Sequence, residues 1–398
     1  MRSVQLSFKH RNILIIGGGK QAWRKAQGFL KEEAEVHLCA PVFLPEIPKE
    51  LRIERVYDKG CLDGNFLVYA CTEDADLNHQ IILDANRKGI LSASIHQDSD
   101  ATLHPMREQN LPYLDVAITT KGASPAYGEL ILQDIKERYD TTYHHRLEAL
   151  QVIRKHALQV VTDSNERTGF LRQLPNEPDA WLTFLRKAIA ANTATVLCMH
   201  GNDHENTFAS LQCLMNSITT PTIPAFVKPS DTVKSIPMVR DTLHLLQIPT
   251  RYASITLEEG RISNIIKDLL PYEELSPCTI PPDELLKLLP YSPTQQLILI
   301  LHESKRKDLY NGLKNLTQDD WKVMSLRDEL PECDASKEVI LLPILLLKGK
   351  HFTHDILSKD GLYGKFTALY PKVQVIDECL MDNERYRDWL IKKITQWK

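Results

Sequence analysis

Ile13-Leu14-Ile15-Ile16-Gly17-Gly18-Gly19-Lys20-Gln21-Ala22 joins four consecutive apolar residues directly to a G-x-G-x-x-A turn. A short apolar run bounded by glycine predicts a buried strand, and the residues after the turn predict a helix over 20–31. In such a strand-turn-helix unit the first glycine allows the tight turn and the second lets backbone N–H groups approach a pyrophosphate. The small third residue lets the helix pack against the strand. The helix start then directs its partial positive charge at the phosphates. Gly17, Gly18, Gly19, Lys20, Gln21 and Ala22 are therefore candidate dinucleotide-binding residues. Only 16 of the 398 residues are glycine, so three in succession carry information.

Working outward, strands are expected at 12–16, 34–39 and 66–70 with helical segments between them. Strands alternating with helices imply parallel β-α-β units and a doubly wound α/β domain. The second strand ends Cys39-Ala40-Pro41, without the carboxylate that would grip a ribose hydroxyl, so the choice between NAD and NADP is not legible there. A helix-rich stretch follows over 124–191, its apolar residues spaced by three and four. The β-α alternation restarts with a strand at 195–199, and a second stretch of similar plan opens with a strand at 296–301. Both strands end in histidine, Cys198-Met199-His200 and Ile300-Leu301-His302, which suggests a weak internal duplication.

Composition narrows the classes. Lys and Arg total 48 against 52 Asp and Glu, a net charge of −4, which argues against a dedicated nucleic-acid or polybasic membrane binder. The eight cysteines never come closer than ten residues, so no C-x-x-C metal spacing exists and they read as reduced, mostly buried thiols. The longest apolar stretch, Val339 to Leu347, is nine residues and contains Pro343, well short of the roughly 18 that a membrane span needs. With no signal-peptide pattern, the expectation is a soluble cytoplasmic protein.

Gly17-Gly18-Gly19 with Ala22 and Arg24-Lys25, the strand end Ala40-Pro41, Ala70-Cys71-Thr72-Glu73-Asp74 with Asn78, and Gly122-Ala123-Ser124-Pro125 follow one another in a specific order. Over about residues 8–190 the chain thus resembles the siroheme-synthase type of precorrin-2 dehydrogenase. The resemblance implies a Rossmann-like NAD-binding domain over 1–115 and a dimerisation and helical segment over 116–191. It also implies NAD-dependent oxidation of precorrin-2 to sirohydrochlorin in a homodimer, and adds Ala40, Pro41 and Thr72 to the cofactor-binding set. The family's Asn-x-x-Asp segment reads Ser92-Ala93-Ser94-Ile95 here, with Ile95 where the aspartate is expected. Either His96 or Asp98 substitutes after a register shift, or the enzyme does without that carboxylate. Ser124, a hydroxyl at the start of a helix opened by Pro125, is the other catalytic candidate; its bland alternative is an ordinary N-cap.

Val339 to Leu347 leads into Lys348-Gly349-Lys350-His351 and then Asp355-Ile356. A buried strand that delivers G-x-H to its C-terminal edge puts histidines where open α/β sheets bind ligands. Neutral imidazoles there can hold a divalent metal and accept protons near pH 7. This half resembles the sirohydrochlorin chelatase family, which implies a two-lobed α/β domain: a degenerate lobe over 192–290 and an active lobe over 291–398. His302 and His351 would be catalytic and metal-binding, and Glu329, or its neighbour Asp328, would fill the family's glutamate position before Pro331. In the first lobe His200 remains, but Lys228 and Arg261 stand where a carboxylate and the second histidine are expected. The interval from 302 to 351 is 49 residues against 61 from 200 to 261, so a helix is expected to be trimmed in the second lobe. The combined expectation is a bifunctional enzyme that also inserts Fe2+ into sirohydrochlorin. The alternatives are Co2+ insertion, or a C-terminal half that only binds tetrapyrrole or a partner.

Overall fold

The structure, a computed structural model, describes residues 3–139, 141–200, 207–228, 234–257, 259–289, 295–302, 308–316, 320–349 and 351–396; for 207–210 and 351 it describes the backbone alone. Contacts divide the chain into two compact units, Met1–His144 and His145–Lys398.

In the first unit the order is β1 (Asn12–Ile16), α1 (Lys20–Lys31), β2 (Glu35–Ala40), β3 (Arg52–Glu54), β4 (Leu67–Ala70), α2 (Ala75–Arg87) and β5 (Leu91–Ser94). The strands form one parallel sheet in the order β3-β2-β1-β4-β5. Because strand side chains alternate, the apolar run of β1 serves two cores. Ile13 and Ile15 pack with Ala22 and Ala26 of α1, whereas Leu14 and Ile16 pack with Ile81, Ile82 and Ala85 of α2. Both faces are covered, which is what an all-parallel sheet requires. A hairpin, β6 (Arg107–Leu111) and β7 (Leu114–Ile118), then leads to α3 (Pro125–Arg138).

The second unit opens with helices: α4 (Thr141–Val160), in which the division between units falls, then α5 (Ser164–Gln173) and α6 (Asp179–Ala191). The first lobe follows as β8 (Ala194–Met199), α7 (Thr207–Ser217), β9 (Thr222–Phe226), α8 (Ile236–Leu245), β10 (Thr250–Ile255), α9 (Arg261–Leu269), β11 (Leu275–Cys278) and α10 (Pro282–Leu288). The second lobe contains β12 (Gln295–Leu301), α11 (Asp308–Leu316), β13 (Trp321–Ser325), β14 (Glu338–Ile344), α12 (Leu362–Leu369), β15 (Val373–Val375) and α13 (Glu384–Gln396). The first sheet runs β11-β10-β8-β9 and the second β13-β12-β14-β15, all parallel. Counted within each lobe, both are 2-1-3-4, so the paired strand ends noticed in the sequence belong to two sheets of one topology. The helix α8 between the second and third strands of the first lobe has no counterpart between β13 and β14, where the shorter interval was expected to trim one.

The main division lies at 144/145, whereas the sequence put it near 192. Ala149, Ile153 and Ala157 of α4 and Trp181, Leu182 and Leu185 of α6 share a core with Val196 and Cys198 of β8, Val239 of α8 and Tyr252 of β10. The helical segment thus covers one face of the first lobe's sheet. The alternate residues Leu197 and Met199 pack in a core that also holds Leu297, Leu299 and Leu301 of β12 and Tyr386 and Leu390 of α13. A fragment starting at residue 192 loses several side chains worth about 1.5–3 kcal/mol each, a sum comparable to the whole stability of a domain, roughly 5–15 kcal/mol. It is expected to lack a cooperative thermal transition by circular dichroism, while a fragment starting at 145 keeps one. Equal cooperativity in the two would contradict this packing account.

Candidate functional site

At the end of β1 the chain turns on Gly17, whose φ of +143° lies where side-chain-bearing residues are strained. Its N–H donates to the Cys39 carbonyl at 2.9 Å, and a Cβ there would lie 2.5 Å from the Cys71 carbonyl oxygen. At Gly18 a Cβ would lie 2.0 Å from the Val42 carbonyl oxygen, and the Gly18 carbonyl accepts from the Leu44 N–H at 3.0 Å. Gly19 differs: it is the N-cap of α1, no side chain caps it, and a Cβ there would meet nothing within 4 Å. The first N–H groups of a helix have no intrahelical partners, so α1 presents donors into open space beside exposed Lys20 and Gln21. The residues fit a dinucleotide's pyrophosphate: two glycines are needed by the turn itself, and the third leaves a cradle that a side chain would fill.

The other strand ends complete this edge. Ala40 and Pro41 close β2 without a carboxylate, as the sequence indicates. After β4 the loop is fixed by Asn78, which is 1% exposed. Its Oδ1 accepts from the Thr72 N–H at 3.1 Å and hydroxyl at 2.8 Å, and its Nδ2 donates to the Thr72 carbonyl at 2.9 Å. Asp74 caps α2 by accepting from the N–H groups of Asp76 and Leu77. The sheet reverses its winding between β1 and β4, so the crevice of a doubly wound fold opens between the Gly17–Gly19 turn and Thr72. Lys25 is turned inward instead, its ammonium 5.0 Å from the Tyr69 ring centroid. Burial, with Arg24 nearby, lowers its pKa.

The catalytic candidates of this half lie on neighbouring loops. Ile95 packs against the core beside α1, so no carboxylate occupies the position where the resemblance expects one. His96 is exposed, and its N–H donates to Ser94 Oγ at 3.1 Å. Asp98 is held on both oxygens: Oδ1 accepts from the Asp100 N–H at 2.9 Å, and Oδ2 meets His79 Nδ1 at 3.0 Å. Ser124 is the N-cap of α3, its Oγ accepting from the Tyr127 N–H at 3.2 Å. The two loops approach through Gln97, since a Cβ on Gly122 would lie 3.2 Å from Gln97 Oε1.

His79 was not singled out by sequence, because 19 residues separate it from Asp98 and only the fold of α2 against the loop after β5 brings them together. With Asp100 it forms a group of three residues whose ligand atoms lie within 4.8 Å of one another. The hydrogen bond to Asp98 raises the His79 pKa above its ordinary 6.5. Burial pushes Asp98 up, but the Asp100 N–H and His79 outweigh it and leave its pKa below 3.8. The histidine's contribution to folding is therefore complete below pH 6.5 and lost as pH rises through its raised value. That of Asp98 is present above 3.8 and lost as pH falls through its lowered value. The loop is pinned most firmly between those limits. In an NMR titration the His79 midpoint is expected above 6.5, and Asp98→Asn returns it toward 6.5; an unchanged midpoint in the variant would refute the pairing.

In the second lobe the register aligns Leu301 of β12 with Ser325 of β13 and Ile344 of β14. His302 directly follows β12 and is exposed, and His351 opens a π-helical turn, His351–Ile356, seven residues beyond Ile344. The His351 side chain lies outside the described residues. Glu329 is exposed four residues past Ser325, whereas Asp328 turns back so that its Oδ2 accepts from the Ser325 N–H at 2.8 Å. His302, Glu329 and His351 thus each follow the C-terminal end of a strand of one sheet, with the reversal of winding falling between β12 and β14. In the first lobe His200 and Lys228 stand at the equivalent edge, the Lys228 N–H donating to the His200 carbonyl at 3.0 Å, and Arg261 opens α9.

A five-stranded parallel sheet of this order, wound on both faces and carrying an uncapped glycine turn, is a Rossmann-like NAD-binding domain; the family described as "Putative NAD(P)-binding" matches residues 4–104. More particularly, siroheme synthases and precorrin-2 dehydrogenases are homologous to the N-terminal part of this chain. The precorrin-2 dehydrogenase of Priestia megaterium is 28% identical over 193 residues, covering 44% of this chain and 95% of its own length. The siroheme synthase of Photorhabdus laumondii is 27% identical over 178 residues, covering 43% of this chain, and this chain spans only 38% of that relative. A solved structure of the precorrin-2 dehydrogenase SirC aligns with a TM-score of 0.40 and 23% identity over 48% of this chain and 98% of that one. Among the described residues no helix is long and apolar enough to cross a membrane.

Proposed function

We propose that the chain is a cytoplasmic, bifunctional enzyme of siroheme formation: its first unit oxidises precorrin-2 with NAD, and its second inserts Fe2+ into the sirohydrochlorin produced. The observation that carries the first step is the open cap of α1 at Gly19, beside a sheet whose relatives are precorrin-2 dehydrogenases. NAD supplies the hydride acceptor when bound. The first-turn N–H groups of α1 bind the pyrophosphate, and the loop clamped by Asn78 sets the floor of the crevice through Thr72. Because Ile95 offers no carboxylate, the proton released from the macrocycle passes to the loop of His96 and Asp98, with His79 holding Asp98 in its ionised form. Ser124 orients a substrate carboxylate at the start of α3.

The second step rests on the repeated 2-1-3-4 sheets with histidine positions on both sides of one switch point. His302 and His351 take up the two pyrrole protons as Fe2+, a substrate here, enters the ring, and Glu329 balances the charge of the ion. An assay with precorrin-2 and NAD, then Fe2+ or Co2+, tests both halves by NADH absorbance and by the spectrum of the tetrapyrrole. NADH formation without metal insertion would leave the C-terminal half a binding domain, and faster insertion of Co2+ would move the product toward cobalamin.

The reading includes a homodimer. Tyr127, Leu130 and Ile131 on α3 are 61%, 65% and 37% exposed, and Tyr113, Tyr139 and Tyr143 add to the apolar surface of this unit. Large apolar side chains facing water in this number support a partner-covered surface on this unit, and a second copy fits the resemblance. Leu130→Asp is expected to halve the mass measured by light scattering; an unchanged mass would exclude α3 from the interface.

A further inference from the structure

Behind the glycine turn lie two cysteines that the proposed reaction does not use. Cys39 is the penultimate residue of β2, and Cys61 sits in a 3₁₀ turn, Lys59–Leu62. Their sulfurs are 3.8 Å apart, and both thiols are free. A disulfide requires about 2.05 Å, so closure asks for a shift of under about 2 Å. Cys39 is 0% and Cys61 7% exposed, so a small oxidant reaches Cys61 first. Cys61 also has the polar surroundings. Its thiol lies 3.6 Å from Asp58 Oδ2, and the nearby Arg55 guanidinium has its pKa raised chiefly by the Cys61 sulfur. Burial, reinforced by Cys61, raises the Cys39 pKa and keeps that thiol protonated. The pair is mechanically tied to the cofactor turn: the Cys39 carbonyl holds the Gly17 N–H at 2.9 Å, and Ala40 Cβ lies 3.1 Å from where a Cβ on Gly18 would stand.

We propose that Cys39 and Cys61 are a redox-sensitive pair whose disulfide displaces the end of β2 and weakens dinucleotide binding at the Gly17–Gly19 turn. With hydrogen peroxide as oxidant, the Cys61 thiolate attacks one peroxide oxygen. The O–O bond breaks, the departing hydroxide takes up the proton that the thiol released and leaves as water, and Cys61 becomes a sulfenic acid. The Cys39 sulfur then attacks the Cys61 sulfur, the S–S bond forms, and the S–O bond breaks, the hydroxyl leaving as a second water with the Cys39 proton. Two electrons pass from the thiols to the peroxide, and a dithiol reductant returns them.

The effect on the cofactor rests on the NAD reading above; the disulfide does not. The test oxidises the full chain with hydrogen peroxide, alkylates remaining thiols, maps peptides by mass, and titrates NADH by fluorescence before and after. A Cys39–Cys61 linked peptide is expected, reversed by dithiothreitol and absent from Cys61→Ala and, independently, from Cys39→Ala. Oxidation is expected to weaken NADH binding about tenfold in the unsubstituted chain, since displacements near 1 Å are costly at such sites, and to leave Cys61→Ala unaffected. Separate alkylation of the two cysteines after peroxide would overturn the pair. A linked peptide with unchanged NADH affinity would overturn its coupling to the turn. Absence of NADH binding in the reduced chain would instead refute the NAD reading, which the peptide map distinguishes.

Discussion

Gly18→Ala is expected to abolish dinucleotide binding and lower stability, whereas Gly19→Ala weakens binding with the fold intact. The contrast comes from what each added methyl meets. At Gly18 the Cβ would be 2.0 Å from a backbone oxygen, that of Val42, and 3.1 Å from Ala40 Cβ. Backbone does not swing aside as a side chain does, so the segment after β2 must move. Overpacking of this kind costs about 1–3 kcal/mol or more. Gly17→Ala should behave likewise, since it adds the cost of a φ of +143° to a contact of 2.5 Å with the Cys71 carbonyl. At Gly19 the φ is −93° and nothing lies within 4 Å, so the protein tolerates the methyl within about 1 kcal/mol, the scale of an N-cap substitution. A pyrophosphate drawn against the first turn of α1 would not tolerate it. NADH titration and thermal melting of the three variants check this, with at least about a tenfold affinity loss, or roughly 1.4 kcal/mol, expected for Gly19→Ala. Wild-type affinity in that variant would mean that no phosphate approaches the cap.

The same turn explains why the first unit was so legible. An apolar run stopped by three glycines leaves little freedom in where the strand ends or the helix starts, and both β1 and α1 fall on the residues read from sequence. The helical segment is legible in the sequence, but the sheet it covers is not. Its spacing identifies an apolar face on α4 and α6 without saying which sheet that face covers, and Trp181 and Leu185 turn out to cover β8. Pairing across sequence distance was likewise invisible: neither His79 with Asp98 nor Cys39 with Cys61 follows from any local spacing. By contrast, the difference between intervals of 49 and 61 residues needed no contacts, because a helix takes up a set length of chain, and among the described residues no helix equivalent to α8 stands between β13 and β14. Ser124 stands between these cases. The Gly-Ala-Ser-Pro run announces a capped helix, which the structure contains, while any catalytic use of its hydroxyl depends on a substrate.

His302→Ala and His351→Ala are each expected to reduce metal insertion by at least about a hundredfold, the lower end of what a positioned acid-base group contributes, while leaving NADH formation unchanged. The histidines follow different strands, β12 and β14, at the switch point of one sheet, so removing either leaves a single imidazole for two departing protons. The NAD-dependent step should not respond, because its turn, cap and clamped loop all belong to the compact unit ending at His144. His200→Ala should cost much less: Lys228 and Arg261 stand at the first lobe's edge, and two cations there oppose a divalent ion. Stopped-flow spectra of sirohydrochlorin with Fe2+ and with Co2+ would measure all three variants. If insertion survives in both second-lobe variants but is lost in His200→Ala, the active lobe is the first, and the missing helix in the second marks the copy that has lost its chemistry. If none of the three changes the rate, the C-terminal sheets hold the macrocycle without acting on it.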